Sequence, residues 1–174
     1  MKIIAFGGSN SKHSINKKLA SYAAHLFQNA EVEVIDLNDF PLPLFSKELE
    51  KEIGFPKEAQ EFLDKIASAD FIVLSLAENN ASYNVGFKNV FDWSSRKDKK
   101  VFQGKPMLLM ATSDGKRGGS SVLEFATKTL PRYGADIKAT FSLPRFYDNF
   151  NELEGITNEE LKQQLLEQIK HAGT

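Results

Sequence analysis

Ile3-Ile4-Ala5-Phe6 turns at Gly7-Gly8 into Ser9-Asn10-Ser11-Lys12-His13-Ser14-Ile15-Asn16, and from Ile15 an apolar face recurs at Leu19, Tyr22, Ala23, Leu26 and Phe27. The spacing predicts a buried strand, a tight loop and then a helix. Glycine lets backbone amides approach an anion with no Cβ in the way. The following helix offers unpaired N–H groups at its positive end, and serine adds rotatable donors. Such a junction is how a chain cradles a phosphate, so the ligand expected here is a nucleotide. The loop lacks the Gly-Lys-Ser/Thr of a Walker sequence and the GxGxxG of a dinucleotide turn, which disfavours ATP and a directly held NAD. A plain βα turn remains the structural alternative.

Outward from this stretch the pattern repeats. Val32-Glu33-Val34-Ile35, Phe71-Ile72-Val73-Leu74, Met107-Leu108-Leu109-Met110-Ala111 and Ile137 to Phe141 read as four more strands, with helices at about 57 to 68, 84 to 94 and 119 to 131. The last of these is expected to end near Pro131. Thr157-Asn158-Glu159-Glu160 reads as a capping box opening a C-terminal helix along Leu161, Leu165, Leu166 and Ile169. Asp36 to Pro56, with three prolines and Gly54, reads as a long irregular connection. Five strands alternating with helices specify an α/β fold, a doubly wound parallel sheet covered on both faces, here one three-layer domain over 1–174. Ligands in such sheets sit at the carboxyl ends of the strands, so the loops after the first, third and fourth strands are expected to converge.

Composition bounds the function. The 174 residues carry a net charge of −1, which gives no electrostatic footprint for nucleic acid or an anionic membrane. There is no cysteine, so disulfides, thiolate metal sites and cysteine nucleophiles are excluded. His13, His25 and His171 are scattered and predict no metal site. With no signal-peptide pattern and no apolar run of membrane-spanning length, a cytoplasmic location is expected.

Two further loops carry the reading to a family. After the third strand stands Ala77-Glu78-Asn79-Asn80-Ala81-Ser82-Tyr83-Asn84, running on to Phe87-Lys88-Asn89-Val90-Phe91-Asp92-Trp93. After the fourth stands Thr112-Ser113-Asp114-Gly115-Lys116-Arg117-Gly118-Gly119. With Gly8-Ser9 through Asn16, Asp36-Leu37, Pro41-Leu42-Pro43-Leu44, Gly104-Lys105-Pro106 and Gly134-Ala135, the chain resembles the NADPH-dependent FMN reductase family, flavodoxin-like quinone, azo-dye and chromate reductases.

The resemblance implies that Ser9, Ser11, Lys12, Ser14 and Asn16 hold the FMN phosphate, Lys12 standing beside Ser11, where the family carries arginine. It implies that Ala77, Glu78, Asn79 and Asn80 run along the isoalloxazine edge in place of the family's Pro-Glu-Tyr-Asn. It also implies that Ser113, Gly115, Gly118 and Gly119 lie beside the flavin pyrimidine, with backbone amides toward developing negative charge. The implied reaction takes hydride from NADPH or NADH through bound FMN to a quinone, azo compound, free flavin or similar small-molecule acceptor, with no general base or nucleophile in the chain. A homodimer or homotetramer is implied too, and part of the packing around Trp93 is expected between subunits. Beside these stand plainer readings: Ser14 as a helix cap, Asn79 and Asn80 as residues tolerant of left-handed backbone, Glu78 as a solvated acid. A non-catalytic FMN electron carrier or flavin-binding sensor module is the functional alternative, although carriers are commonly more acidic.

Overall fold

In the computed structural model, which describes residues 1–173, β1 (Lys2–Gly8), β2 (Glu31–Val34), β3 (Phe71–Leu76), β6 (Pro106–Thr112) and β7 (Asp136–Leu143) form one sheet. The strand order is β2-β1-β3-β6-β7 and every pairing is parallel. Residues of β1, β3 and β6 are buried throughout apart from Lys2 and Pro106, as strands covered on both faces must be. The helices α1 (Ile15–His25) and α7 (Glu159–Ala172) cover one face with Ile3, Leu19, Val73, Leu108, Phe141 and Leu165. On the other, α3 (Lys57–Ser68), α4 (Val85–Lys97) and α5 (Ser120–Thr129) pack around Phe6, Phe62, Leu74, Phe91 and Leu109. The five expected strands and the two-faced covering are therefore present, and the chain is a single α/β domain. Strand order reverses direction between β1 and β3, the switch point at which such sheets open a crevice.

The structure differs from the sequence reading at four places. The connection from Asp36 to Pro56 is not wholly irregular, because it contains α2 (Lys47–Ile53), capped by Ser46 Oγ accepting from Leu49 N–H and stopped by Gly54 at φ +74°. None of its residues is buried, so it leaves no apolar periodicity to read. Two small antiparallel hairpins, β4 (Glu78–Asn79) with β5 (Ser82–Tyr83) and β8 (Phe150–Asn151) with β9 (Gly155–Ile156), lie outside the main sheet. The C-terminal helix is capped by Asn158, whose side chain accepts from Leu161 N–H, rather than by Thr157. The helix expected over 119 to 131 ends at Thr129, and Pro131 sits in the following 3-10 turn.

The aromatic residues around Trp93 are expected to pack, part of that packing between subunits. Trp93 itself is fully buried within the protomer, with Nε1 donating to Pro43 O at 2.7 Å and Phe45 edge-on to its ring. Phe87, Val90 and Phe91 are buried with it. This cluster fastens the 41–46 segment to α4 from within the protomer.

Candidate functional site

The first loop leaves β1 at Gly8, where a Cβ would come 2.8 Å from Leu76 Cδ2, so the strand end is pressed against β3. Ser9 and Ser14 are buried, and a chain of hydroxyl acceptors runs between them. Ser9 Oγ accepts from Ser11 N–H at 3.1 Å, Ser11 Oγ from His13 N–H at 3.3 Å, and Ser14 Oγ caps α1 by accepting from Lys17 N–H at 3.1 Å. Each hydroxyl thereby receives a backbone proton, and among the described residues none passes its own proton to a protein atom. The N–H groups of Ile15 and Asn16, in the first turn of α1, have no intrahelical partner. The residues carrying these three O–H donors and two N–H donors all line one cavity of about 250 Å³. Ser9, Ser11, Ser14 and Asn16 line it, together with Ala77, Glu78 and Ser113. The convergence of the loops after β1, β3 and β6 is as the sheet topology requires.

Asn16 contributes to that cavity through its backbone. Its side chain is 2% exposed and occupied: Oδ1 accepts from Ser75 Oγ at 2.7 Å and Thr112 N–H at 3.0 Å, while Nδ2 donates to Thr112 O at 3.1 Å. One carboxamide therefore locks the start of α1 to the ends of β3 and β6. Glu78 acts similarly. Its carboxylate accepts from Val122 N–H at 2.8 Å in the first turn of α5, satisfying a helix-end donor rather than standing free in solvent.

The remaining expected residues lie off the cavity wall. Lys12 is exposed, and its neighbours Lys17 and Lys18 are held by Asp36 and Glu152. Asn80, at φ +49°, is the first residue of the turn joining β4 to β5, and Ala81 follows it at φ +61°, so only the second asparagine of the pair takes left-handed backbone. Asn79 Oδ1 accepts from Asn84 Nδ2 at 3.0 Å. Gly118 and Gly119, both at positive φ, serve packing. A Cβ on Gly118 would stand 2.5 Å from Ser142 Oγ, and one on Gly119 2.9 Å from Ala111 Cβ. At Gly115 a Cβ would make only an ordinary contact, 3.8 Å from Ser113 Oγ, and its carbonyl accepts from Arg145 N–H, beyond β7, at 2.9 Å.

Sequence reasoning missed His13, Ile15, Thr112, Asp114 and Tyr147 on the wall, and the tie that Asn84 makes between two of the loops. Asn84 Oδ1 accepts from Gly86 N–H at 2.9 Å, capping α4, and from Asn10 N–H at 3.2 Å, so one side chain ties the second loop to the first. Gly86 makes the approach feasible, since a Cβ there would fall 2.5 Å from Asn10 Cβ. His13 was legible as part of the loop. Tyr147 was not, because it arrives from beyond β7, a strand whose following loop carries no glycine signal.

The donor set fits the terminal phosphate of a mononucleotide such as FMN. It offers hydroxyl and amide protons that nothing among the described residues accepts, and of the two carboxylates on the cavity wall, Glu78 and Asp114, Glu78 is already engaged by α5. Within the fifteen residues that open the chain there is no acid to repel an anion.

Comparison with known proteins agrees. The family model described as NADPH-dependent FMN reductase matches residues 1–148. An Arabidopsis thaliana protein named NADPH:quinone oxidoreductase is 31% identical over 182 residues, covering 95% of this chain and 89% of that protein. A Pseudomonas aeruginosa NAD(P)H-dependent FMN reductase is 28% identical, covering 75% of this chain and 69% of that one. Among solved structures, the flavoenzyme NAD(P)H:(acceptor) oxidoreductase FerB of Paracoccus denitrificans superposes with a TM-score of 0.73 at 22% identity. That match covers 99% of this chain and 97% of FerB, a likeness of fold.

Proposed function

The chain belongs to the NADPH-dependent FMN reductase family, and we propose that it uses the cavity between the first, second and third loops to carry reducing equivalents from NAD(P)H through FMN to a quinone-type acceptor. It is an oxidoreductase with FMN as cofactor and NAD(P)H as co-substrate. When bound, FMN supplies the hydride chemistry itself. The protein's part is positional. Ser9, Ser11 and Ser14 with the first turn of α1 hold the phosphate, Asn16 keeps that turn fixed on β3 and β6, and Glu78 and Asn84 hold the ends of α5 and α4 around the ring-binding region.

The observation that carries this reading is the set of three serine hydroxyls that accept from backbone and, among the described residues, donate to no protein atom. A second cavity, of about 310 Å³, lies across Asn10 between the 37–44 segment and the start of α4, and Leu42, Leu44 and Val85 on its wall suit an apolar acceptor. Quinones fit that surface, and azo compounds share its planar apolar chemistry. Half-exposed Phe125 on α5 offers apolar area outside that cavity for a homodimer or homotetramer. No helix among the described residues is long and apolar enough to cross a membrane.

The test is anaerobic mixing of FMN-loaded protein with NADPH in a stopped-flow spectrometer. The flavin band should bleach directly, and a benzoquinone should restore it. A carrier would stay oxidised until a partner reductase was added, and that outcome would remove the reductase reading while leaving the FMN site.

A further inference from the structure

The segment after β7 is held in an unusual way. Arg145 takes a left-handed backbone at φ +46°, which a residue with a Cβ adopts only where its surroundings enforce it. The enforcing contacts are on the third loop: Arg145 N–H donates to Gly115 O at 2.9 Å and Phe146 N–H to Ser113 O at 3.0 Å. Asn149 Nδ2 then donates back to Pro144 O at 2.9 Å, closing the short α6 turn (Phe146–Asn149). The result is to set Tyr147 on the wall of the 250 Å³ cavity that the phosphate-loop serines line.

Tyr147 is 73% exposed, yet its ring is not left to wander. It stands edge-on to Phe146 at 5.5 Å, Phe146 is buried and stacked on Phe150 at 4.7 Å, and Phe150 meets Tyr22 of α1 edge-on at 5.6 Å. Four rings thus run from the flank of α1 to the cavity mouth, and the last is the one left open. Apart from the imidazole of His13, it is the only ring on that wall, and its hydroxyl has no protein partner among the described residues.

We propose that Tyr147 is the aromatic cover of the bound flavin, packing its ring against the isoalloxazine of the FMN whose phosphate the first loop holds. The inference rests on the FMN reading above and names a residue outside the three loops. A ring sharing one small cavity with the phosphate donors lies along the path of any ligand anchored there. Stacking between planar systems is strong enough to matter for affinity and needs no hydrogen-bond partner.

The experiment titrates FMN with wild-type protein, Tyr147→Phe and Tyr147→Ala, reading both the dissociation constant and flavin emission. A phenol in contact with a flavin quenches its emission by reversible electron donation, and a phenyl ring does not. Wild type should bind FMN with quenched emission. Tyr147→Phe should bind within about twofold of it but glow more brightly, and Tyr147→Ala should bind roughly five- to a hundredfold more weakly, also brighter. Unchanged constants and emission in both variants would overturn the proposal. So would equal weakening by Phe and Ala, which would make the hydroxyl rather than the ring the contact. Unchanged FMN binding with a raised KM for a benzoquinone would give the ring to the acceptor and equally overturn it. No saturable FMN binding by wild type would instead overturn the cofactor reading on which it stands. Because the side chain is exposed, the variants should keep the wild-type melting temperature, which serves as the control.

Discussion

The first and second loops are built from the same kinds of residue and do opposite things with them. In the first, Ser9, Ser11 and Ser14 accept backbone protons and keep their own, so the loop faces the cavity as a row of donors. In the second, Glu78, Asn79 and Asn84 find their partners inside the protein: a helix end, a neighbouring amide and the Asn10 N–H. A motif shared across a family therefore mixes two kinds of polar residue, and what separates them is whether a proton is left over. Asn16 shows that position in the chain does not decide it. It lies in the first loop's helix, yet its side chain behaves like one of the second.

That makes Asn16 the sharpest test of the comparison. Asn16→Ala should cost about 3 kcal/mol of stability, since Ser75 Oγ and both backbone groups of Thr112 would lose a buried partner together. Urea unfolding with an unchanged slope would read it, and a loss below about 1 kcal/mol would mean water replaces the amide and the two loops do not differ as described. Ser14→Ala comes next and should act twice. Removing the cap should cost about 1 kcal/mol of stability, and removing a donor to a charged phosphate should weaken FMN roughly ten- to a hundredfold. A stability loss with an unchanged FMN dissociation constant would leave Ser14 as a cap alone.

For the second loop the expectation inverts. Glu78→Ala should destabilise by about 1 kcal/mol through the freed Val122 N–H at the start of α5, while FMN affinity stays within about threefold. A tenfold loss of affinity at constant stability would move Glu78 to the ligand's side and collapse the distinction.

The same contrast explains what was legible beforehand. The sheet could be read because strands buried on both faces give continuous apolar runs, as in Ile3 to Phe6 and Met107 to Ala111, and the first loop could be read because glycine and serine declare themselves locally. Which polar residues are occupied could not, because the partners are remote: Asn16 meets Thr112, Glu78 meets Val122 and Asn84 meets Asn10, 96, 44 and 74 residues away. For the same reason Tyr147, delivered by a turn pinned to Ser113 and Gly115, had no local sign. α2 escaped notice for another cause. Its signals are the Ser46 cap and the Gly54 stop, with no apolar face between them, since it buries no residue.

The smallest effect concerns charge. Lys17 stands one residue past Asn16, and its ammonium is held by Asp36, two residues beyond β2, which leaves the neutral donors and Lys12 to meet an anion. Burial pushes the Asp36 carboxyl up, but Lys17 and the Asn38 N–H and amide outweigh it and hold the group below its ordinary value of 3.8. A carboxyl lowered by folding contributes stability that is fully present above its unfolded value and lost as pH falls through the folded one. Asp36→Asn keeps an acceptor for Asn38 and removes only the charge, so it should cost about 0.5 kcal/mol at neutral pH. The gap to wild type should close as the pH is lowered below about 4. FMN affinity should stay within about twofold, because the Lys17 side chain lies on the β8–β9 side of α1 and not on the cavity wall. A several-fold tightening on freeing Lys17 would show that the first loop does lack a charge which the protein holds in reserve. The donors counted at Ser9, Ser11 and Ser14 would then be insufficient on their own.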